Sequence, residues 1–318
     1  MEITLTKVSV ETVFPAIHSE VYLSPEGVRY LKHPGVILVG QTMANITGMR
    51  PFLEGFDSAL DFPAYVDDPI TSVPFDDDPA DPNKMSPPVS DGTHLCKTAG
   101  QTCYCSWGPG KRTMNKHATA YIRKILKDKH GSVLEHPSYS FFLYGIDRSI
   151  THELVRHRAG CAFSQVSQRY VDDTTLRFVM RPEYLGQEKL EARFLRNIAH
   201  AAQQYREITE ELAVLQEGDE AGLLSGETKR ERRKKQQQAA REVLTNSVEA
   251  PMTFTANARA LRHIFEMRAS EHAETQIRRL AMMMYRVVTQ VEPIIFGDYQ
   301  VIQLPDGSEA LDTEFRKV

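Results

Sequence analysis

Cysteine is scarce in this chain, basic residues are not in excess, and no long apolar run occurs. The four cysteines, Cys96, Cys103, Cys105 and Cys161, are too few among 318 residues for a disulfide framework. Cys103 and Cys105 stand closer than the CxxC of redox and zinc sites, so small buried thiols are expected there. A net charge of −4 and a pI of 6.3 weigh against a dedicated nucleic-acid binder. No stretch approaches the roughly eighteen apolar residues of a membrane span. The opening MEITLTKVSVETVF, with acidic Glu2, does not read as a secretory signal. The expectation is a cytoplasmic protein that engages neither membrane nor nucleic acid. There is no GxGxxG, and GPGKRT (108–113) misses a phosphate loop twice. Cys105 stands where the first glycine belongs, and Arg112 stands where Ser or Thr must follow the lysine.

What is present is a chain of 41% apolar residues, ample for one large domain or two small ones. Residues 1–56 mix short β-rich runs, EITLTKVSV and VILVG, with turn residues. Residues 57–91 hold nine aspartates and seven prolines, with Lys84 as the one basic residue. Such a segment neither propagates a helix nor packs a core, so an irregular solvated insertion is expected. From residue 113 the pattern turns regular. HATAYIRKILKD (117–128) reads as a helix and YSFFLYGI (139–146) as a strand. DRSITHELVRHR (147–158) reads as a helix with Asp147 as N-cap. Leu190, Phe194, Ile198, Ala201, Tyr205, Ile208, Leu212 and Leu215 step by three and four, one apolar stripe on a long helix. PMTFTANA (251–258) reads as a strand. ALRHIFEMR and HAETQIRRLAMMMYRVVTQV read as helices, the second stopping before Pro293. The fold class is α+β, with helices dominant after residue 113.

RHRAGCAFSQVSQRYV (156–171) is the strip with the most pointed chemistry. Arg156, Arg158 and Arg169 stand with His157, Ser164 and Ser167, and fixed positive charge with short hydroxyls suits a polyanion. A nucleotide, a dinucleotide cofactor and a nucleic-acid backbone all fit that description; ordinary surface ion pairing is the alternative. HELVRH (152–157) places its histidines five apart, about 140° around a helix, so they do not share a metal. No metal site is expected. Cationic neighbours of Cys161 would lower its pKa and favour thiolate, a minority reading against an inert thiol. The basic run over 229–241 reads as a solvated helix face, except that Arg241, after Ala239 and Ala240, reads as turned inward. Arg268 and His272 stand at i,i+4 on one helix face, with a structural salt bridge as the plain reading of the arginine.

Together these segments resemble the flavin-dependent thymidylate synthases. Arg156-His157-Arg158 followed by Ser167-Gln168-Arg169 is similar to the family's signature of Arg-His-Arg, seven residues, Ser, one residue, Arg. HGSVLEH (130–136), THELVRHR, SQVSQRYV, QAAREVL (238–244), TANARALRHIFEMRASEHA (255–273) and IRRLA (277–281) follow in the family's order, and TCYCSW (102–107) resembles its early Cys-Tyr-x-Ser-Trp segment. The resemblance covers roughly residues 96–305. Eight residues, not seven, separate Arg158 from Ser167, which predicts a reshaped loop. Thr245 stands where many members carry proline, and the first 95 residues exceed the usual start.

The resemblance implies an antiparallel sheet with packed helices and a helix-rich C-terminal half. It implies a catalytic domain over 96–318 behind an N-terminal extension over 1–95, and a homotetramer with shared sites. The implied reaction methylates dUMP at C5 to give dTMP. Methylenetetrahydrofolate supplies the carbon, and FAD reduced by NADPH supplies the hydride. Carried over by position, Ser167, Arg169 and Arg241 hold the nucleotide phosphate, with Gln165 in the same loop. Arg268 faces the uracil, where a guanidinium stabilises negative charge on the pyrimidine, and Glu153 orients that ring. Arg156, His157, Arg158, Ser132, Ser164, Asn257, His263 and His272 hold FAD. His130 lies near flavin and folate as the participant in carbon transfer or in orienting the folate. Three other readings remain at this point: methylation of another uridine nucleotide, a non-catalytic nucleotide- or RNA-binding relative, and a partner-binding arm in 57–91.

Overall fold

Tyr139, Phe141 and Leu143 alternate inward along a strand with polar or exposed neighbours, as a sheet with one buried face requires. In a computed structural model of the chain, the structure describes residues 4–8, 12–51, 70–72, 86–106, 117–169, 176–217 and 228–318. Most of the acidic segment 57–91, the GPGKRT run and Tyr170-Val171 lie outside the described residues.

The strands are β1 (Thr4–Val8), β2 (Thr12–Ile17), β3 (Val21–Leu23), β4 (Arg29–Leu31), β5 (Gly35–Gln41), β6 (Ser138–Tyr144), β7 (Cys161–Gln165), β8 (Arg177–Val179), β9 (Met252–Asn257), β10 (Gln300–Gln303) and β11 (Glu309–Asp312). Six of them form one antiparallel sheet in the order β1-β2-β5-β6-β9-β7. Strands from the first 56 residues therefore sit in the same sheet as the later ones. Phe254 of β9 stacks on Phe141 of β6 and Phe163 of β7, at 6.4 and 5.2 Å between ring centroids.

Seven α-helices are described: α1 (Asp91–Thr102), α2 (Ala118–Lys127), α3 (Arg148–Leu154), α4 (Glu188–Glu217), α5 (Lys229–Ala240), α6 (Ala258–Arg268) and α7 (Thr275–Val291). α7 buries Ile277, Leu280, Ala281, Met284, Val287 and Val288 in the core shared with the sheet. Its start is fixed by Glu274, whose carboxylate accepts from the amides of Gln276 and Ile277. α4 packs over the small sheet β3-β4-β8 through Phe194, Ile198, Ala201 and Ala202.

Several expectations need correction. The helix expected over 147–158 opens at Asp147, which accepts from the amide of Ile150 at 3.0 Å, but it ends at Leu154. The amides of Arg156 and His157 turn back to the carbonyls of Glu153 and Leu154, and this tight turn releases the Arg-His-Arg run from the helix. The α4 stripe is buried only in its middle. Leu190 and Leu215 are exposed, because the β3-β4-β8 layer does not extend under the helix ends. Arg268 and His272 do not share a helix face, because α6 stops at Arg268 and Ala269 caps it. Cys103 is exposed and Cys105 half-buried, since both lie in the turn beyond α1; Cys96 alone of the early three is buried. Among the described residues no helix is long and apolar enough to cross a membrane.

Candidate active site

β9 runs directly into α6, and Asn257 is the joint. Its side chain accepts from the amide of Ala260 at 2.8 Å, capping the helix, and its own amide donates to the carbonyl of Gly160 at 2.9 Å. Gly160 lies at φ +69°, and a Cβ there would come within 2.5 Å of the Asn257 amide group. Only glycine lets the turn after Arg158 approach the start of α6 so closely. The residues after this turn enter β7, with Ser164 opposite Thr253 and Gln165 opposite Met252. The spacing of eight residues between Arg158 and Ser167 thus contains a glycine turn and a registered strand.

At the other end of α6, Arg268 reaches back to the same segment. Its Nη1 donates to Oε2 of Glu153 at 2.8 Å, and its Nε donates to Nε2 of His157 at 3.0 Å. His157 also meets His263, ring edge to ring face, at 5.5 Å between centroids. Burial lowers the His157 pKa, with the charges of Arg268, His263 and Arg156 acting in the same direction, to about 4. The ring is therefore a neutral acceptor beside a fixed guanidinium. Glu153, His157, His263 and Arg268 form one contact cluster, and Asn257 adjoins it through Gly160.

Arg156, Arg158 and Ser164 are exposed. Ser167 accepts from the amide of Arg169 at 3.4 Å, in the loop that follows β7. Arg241 opens a 3-10 turn, Arg241–Val243, and is half-buried, as are Lys234 and Lys235 of the same basic run. His130 and Ser132 are exposed and flank Gly131, at the start of the 3-10 turn Gly131–Glu135 that packs on α6. His272 is 88% exposed, with Glu271 at 3.4 Å, and the chain does not bring it to the cluster.

Cys161 departs from the cation-lowered thiol of the minority reading. Burial in β7 pushes its pKa up to about 11, so it is a poor nucleophile. Among the described residues no group of three His, Cys, Asp or Glu side chains is placed to hold a metal. Two residues of the site escaped the sequence reading. Gly160 was visible only as one letter inside the extra-long loop. Gln168 lies between Ser167 and Arg169, and its Nε2 is buried with no hydrogen-bond partner among the described residues. An orphaned donor in a loop of Ser and Arg fits a site completed by a phosphorylated ligand.

Comparison with known proteins bears on this geometry. Residues 88–294 match the family model described as thymidylate synthase complementing protein. A flavin-dependent thymidylate synthase of Mycobacterium sp. (strain JLS) is 42% identical over 223 residues, 70% of this chain and 85% of that protein. One from Mycobacterium leprae (strain TN) is 41% identical over 219 residues, 69% of this chain and 84% of that protein. Among solved structures, the crystal structure of a UMP/dUMP methylase PolB from Streptomyces cacaoi bound with 5-Br dUMP has a TM-score of 0.52. It is 17% identical, over 84% of this chain and 95% of that one, and shows a shared fold.

Proposed function

This chain belongs to the thymidylate synthase complementing protein family, that of the flavin-dependent thymidylate synthases, and from that membership we propose that it converts dUMP to dTMP. Methylenetetrahydrofolate is the carbon donor in this reading, and FAD reduced by NADPH is the hydride donor. The flavin, when bound, supplies the redox chemistry; the chain's own residues bind, orient and set charge. The reaction replaces the hydrogen at C5 of the uracil with the methylene carbon, which becomes a methyl group on gaining a hydride. The C5 hydrogen leaves as a proton.

The observation that carries the reading is the Glu153–Arg268–His157 clamp. It holds a guanidinium in one orientation before any ligand arrives, and Nη2 makes no hydrogen bond among the described residues. Such a preorganised cation suits negative charge on the pyrimidine oxygens as C5 attacks carbon. Glu153 holds Arg268 in place and orients the ring. Ser167, Arg169, Arg241 and Gln165 take the phosphate of dUMP, with the Gln168 amide within the same loop. Arg156, neutral His157, Arg158, Ser164, Asn257, His263 and Ser132 hold FAD, and His272 approaches it from the exposed surface. His130 orients the folate for carbon transfer. We assign this catalytic work to residues 96–318, in a cytoplasmic homotetramer whose subunits share sites; the exposure of Arg169 and His272 suits such sharing.

The test is release of tritium from dUMP labelled at C5, with FAD, NADPH and methylenetetrahydrofolate present. Release that requires every component, with UMP inactive, is the expected result. Arg268→Ala should cut release by about a hundredfold or more, the scale of removing one charge-stabilising donor. A flavin-bound protein that labels only UMP, or neither nucleotide, would overturn the reading.

A further inference from the structure

Among the described residues only Cys105, Lys129 and Lys317 are non-glycine residues with positive φ, and two of the three line one cleft. The cleft, about 780 Å³, lies between the last turns of α2 and the segment 314–317. Arg123, Lys124, Lys127 and Lys129 line it from the helix side, and Arg316 and Lys317 from the other; Asp128 and Glu314 are its acidic members. Lys124 pairs with Asp128, so one of those two acids is already matched within the helix. Lys129 and Lys317 both sit at φ +58°, a backbone state that favours glycine. The chain keeps a cation at each.

The cleft adjoins the turn that carries His130, because its lining residue Lys129 precedes that histidine in the chain. The amide of His130 donates to the carbonyl of Ile125 at 2.9 Å, so His130 directly follows Lys129 at the closed end of α2. On its other side, Gly131 is packed so tightly that a Cβ would lie 2.8 Å from both Arg259 Nε and the carbonyl carbon of Val318. Arg259 donates to the Val318 carbonyl, and Glu266 accepts from the Lys317 amide, which fixes the tail segment along α6. A basic cleft thus opens beside the turn that carries His130 and Ser132.

We propose that this cleft binds the γ-linked oligoglutamyl tail of the folate co-substrate. The inference rests on the assignment of the folate's reacting end to His130. Arg123 and Lys127 are one helical turn apart, about 6 Å along α2, with Lys317 on the opposite wall. Charge strung out in this way suits a chain bearing one carboxylate per unit. A single compact phosphate would use only a few of these donors.

The test compares methylenetetrahydrofolate carrying one glutamate with the same compound carrying five. The expected wild-type KM is lower for the longer tail by about tenfold, the sum of several exposed ion pairs. Lys127→Glu/Lys317→Glu should abolish that preference and leave the KM for the one-glutamate compound within about twofold. In parallel, free γ-linked pentaglutamate is titrated calorimetrically into the FAD-loaded protein. Heat that weakens with rising salt and vanishes in the double variant supports the proposal. This second arm needs no turnover, so it decides the cleft even where the synthase reading fails. No tail-length preference together with no heat would overturn the proposal. So would a variant whose only change is a raised KM for NADPH against NADH, which would place the adenosine 2′-phosphate there instead.

Discussion

Arg268 donates through Nε to Nε2 of His157 at 3.0 Å, and this bond leaves the imidazole proton on Nδ1. Burial and the adjacent guanidinium keep the folded pKa at about 4, below the ordinary 6.5. Above pH 6.5 the ring is neutral in both folded and unfolded chains, and no stability depends on it. As pH falls from 6.5 towards 4, the unfolded chain takes up a proton that the folded chain refuses, so stability declines, and the decline is complete below the folded value. The His157 ring should therefore keep its neutral nitrogen shifts by NMR from about pH 8 to about pH 5.5. His157→Gln should flatten the acid side of the Tm-against-pH curve. A ring that titrates near its ordinary value would sink this account.

Gly160→Ala should be costly for its size. The new Cβ would press on Asn257 at 2.5 Å while the backbone stays at φ +69°, so both space and torsion oppose it. The expected loss is about 1–3 kcal/mol, read as a lower urea midpoint. Because Asn257 caps α6, the flavin absorbance retained on purification should fall as well. Unchanged flavin content in a stably folded Gly160→Ala protein would separate the turn from the cofactor site.

The sequence made this turn visible only as an extra residue. Its length predicts a reshaped loop, but the left-handed glycine and the carbonyl bonded by Asn257 are tertiary facts that no spacing reveals. Local periodicity did better where one face is buried throughout. The strand expected over 139–146 from its aromatic and branched residues, and the cap at Asp147, were legible because each depends on neighbours within a few residues. The ends of α4 were not, since burial of Leu190 and Leu215 depends on a sheet layer that stops short of them. In the site, the Arg-His-Arg run and Arg268 could be named from motifs. Their bond across 111 positions could not, because it requires α3 to end at Leu154 and the chain to turn there. His272 shows the converse: a spacing of four counts only while the helix continues.

Cys161 tests the difference between nearby charge and burial. Cationic residues surround it in sequence, yet burial in β7 carries its thiol up to about 11. Iodoacetamide near neutral pH should label exposed Cys103 well before Cys161, as peptide mass spectrometry would show. Cys161→Ser should keep tritium release within about twofold, since a residue with almost no thiolate contributes no nucleophile. Loss of turnover in a variant that still binds FAD would return Cys161 to the chemistry.

Asp298 is where the site's frame is most exposed to a single change. It pairs with Arg262 through two bonds, at 2.6 and 2.8 Å, and both side chains are almost fully buried. Arg262 also donates to the carbonyls of Ile295 and Phe315 and lies 4.8 Å from the Tyr299 ring centroid. The pair thus ties α6 to the chain that follows α7. Asp298→Ala would leave a buried guanidinium without its counter-charge, at a cost of about 3–5 kcal/mol. Replacing both partners, Arg262→Met with Asp298→Leu, should cost less than the single change, because no unpaired charge remains. Urea unfolding of the three proteins reads both effects as midpoint shifts at constant slope. Since Arg262 is next to His263 and six residues from Arg268, the single variant should also bind less flavin before it unfolds. If Asp298→Ala loses less than about 1 kcal/mol, the pair is not what holds α6 in place.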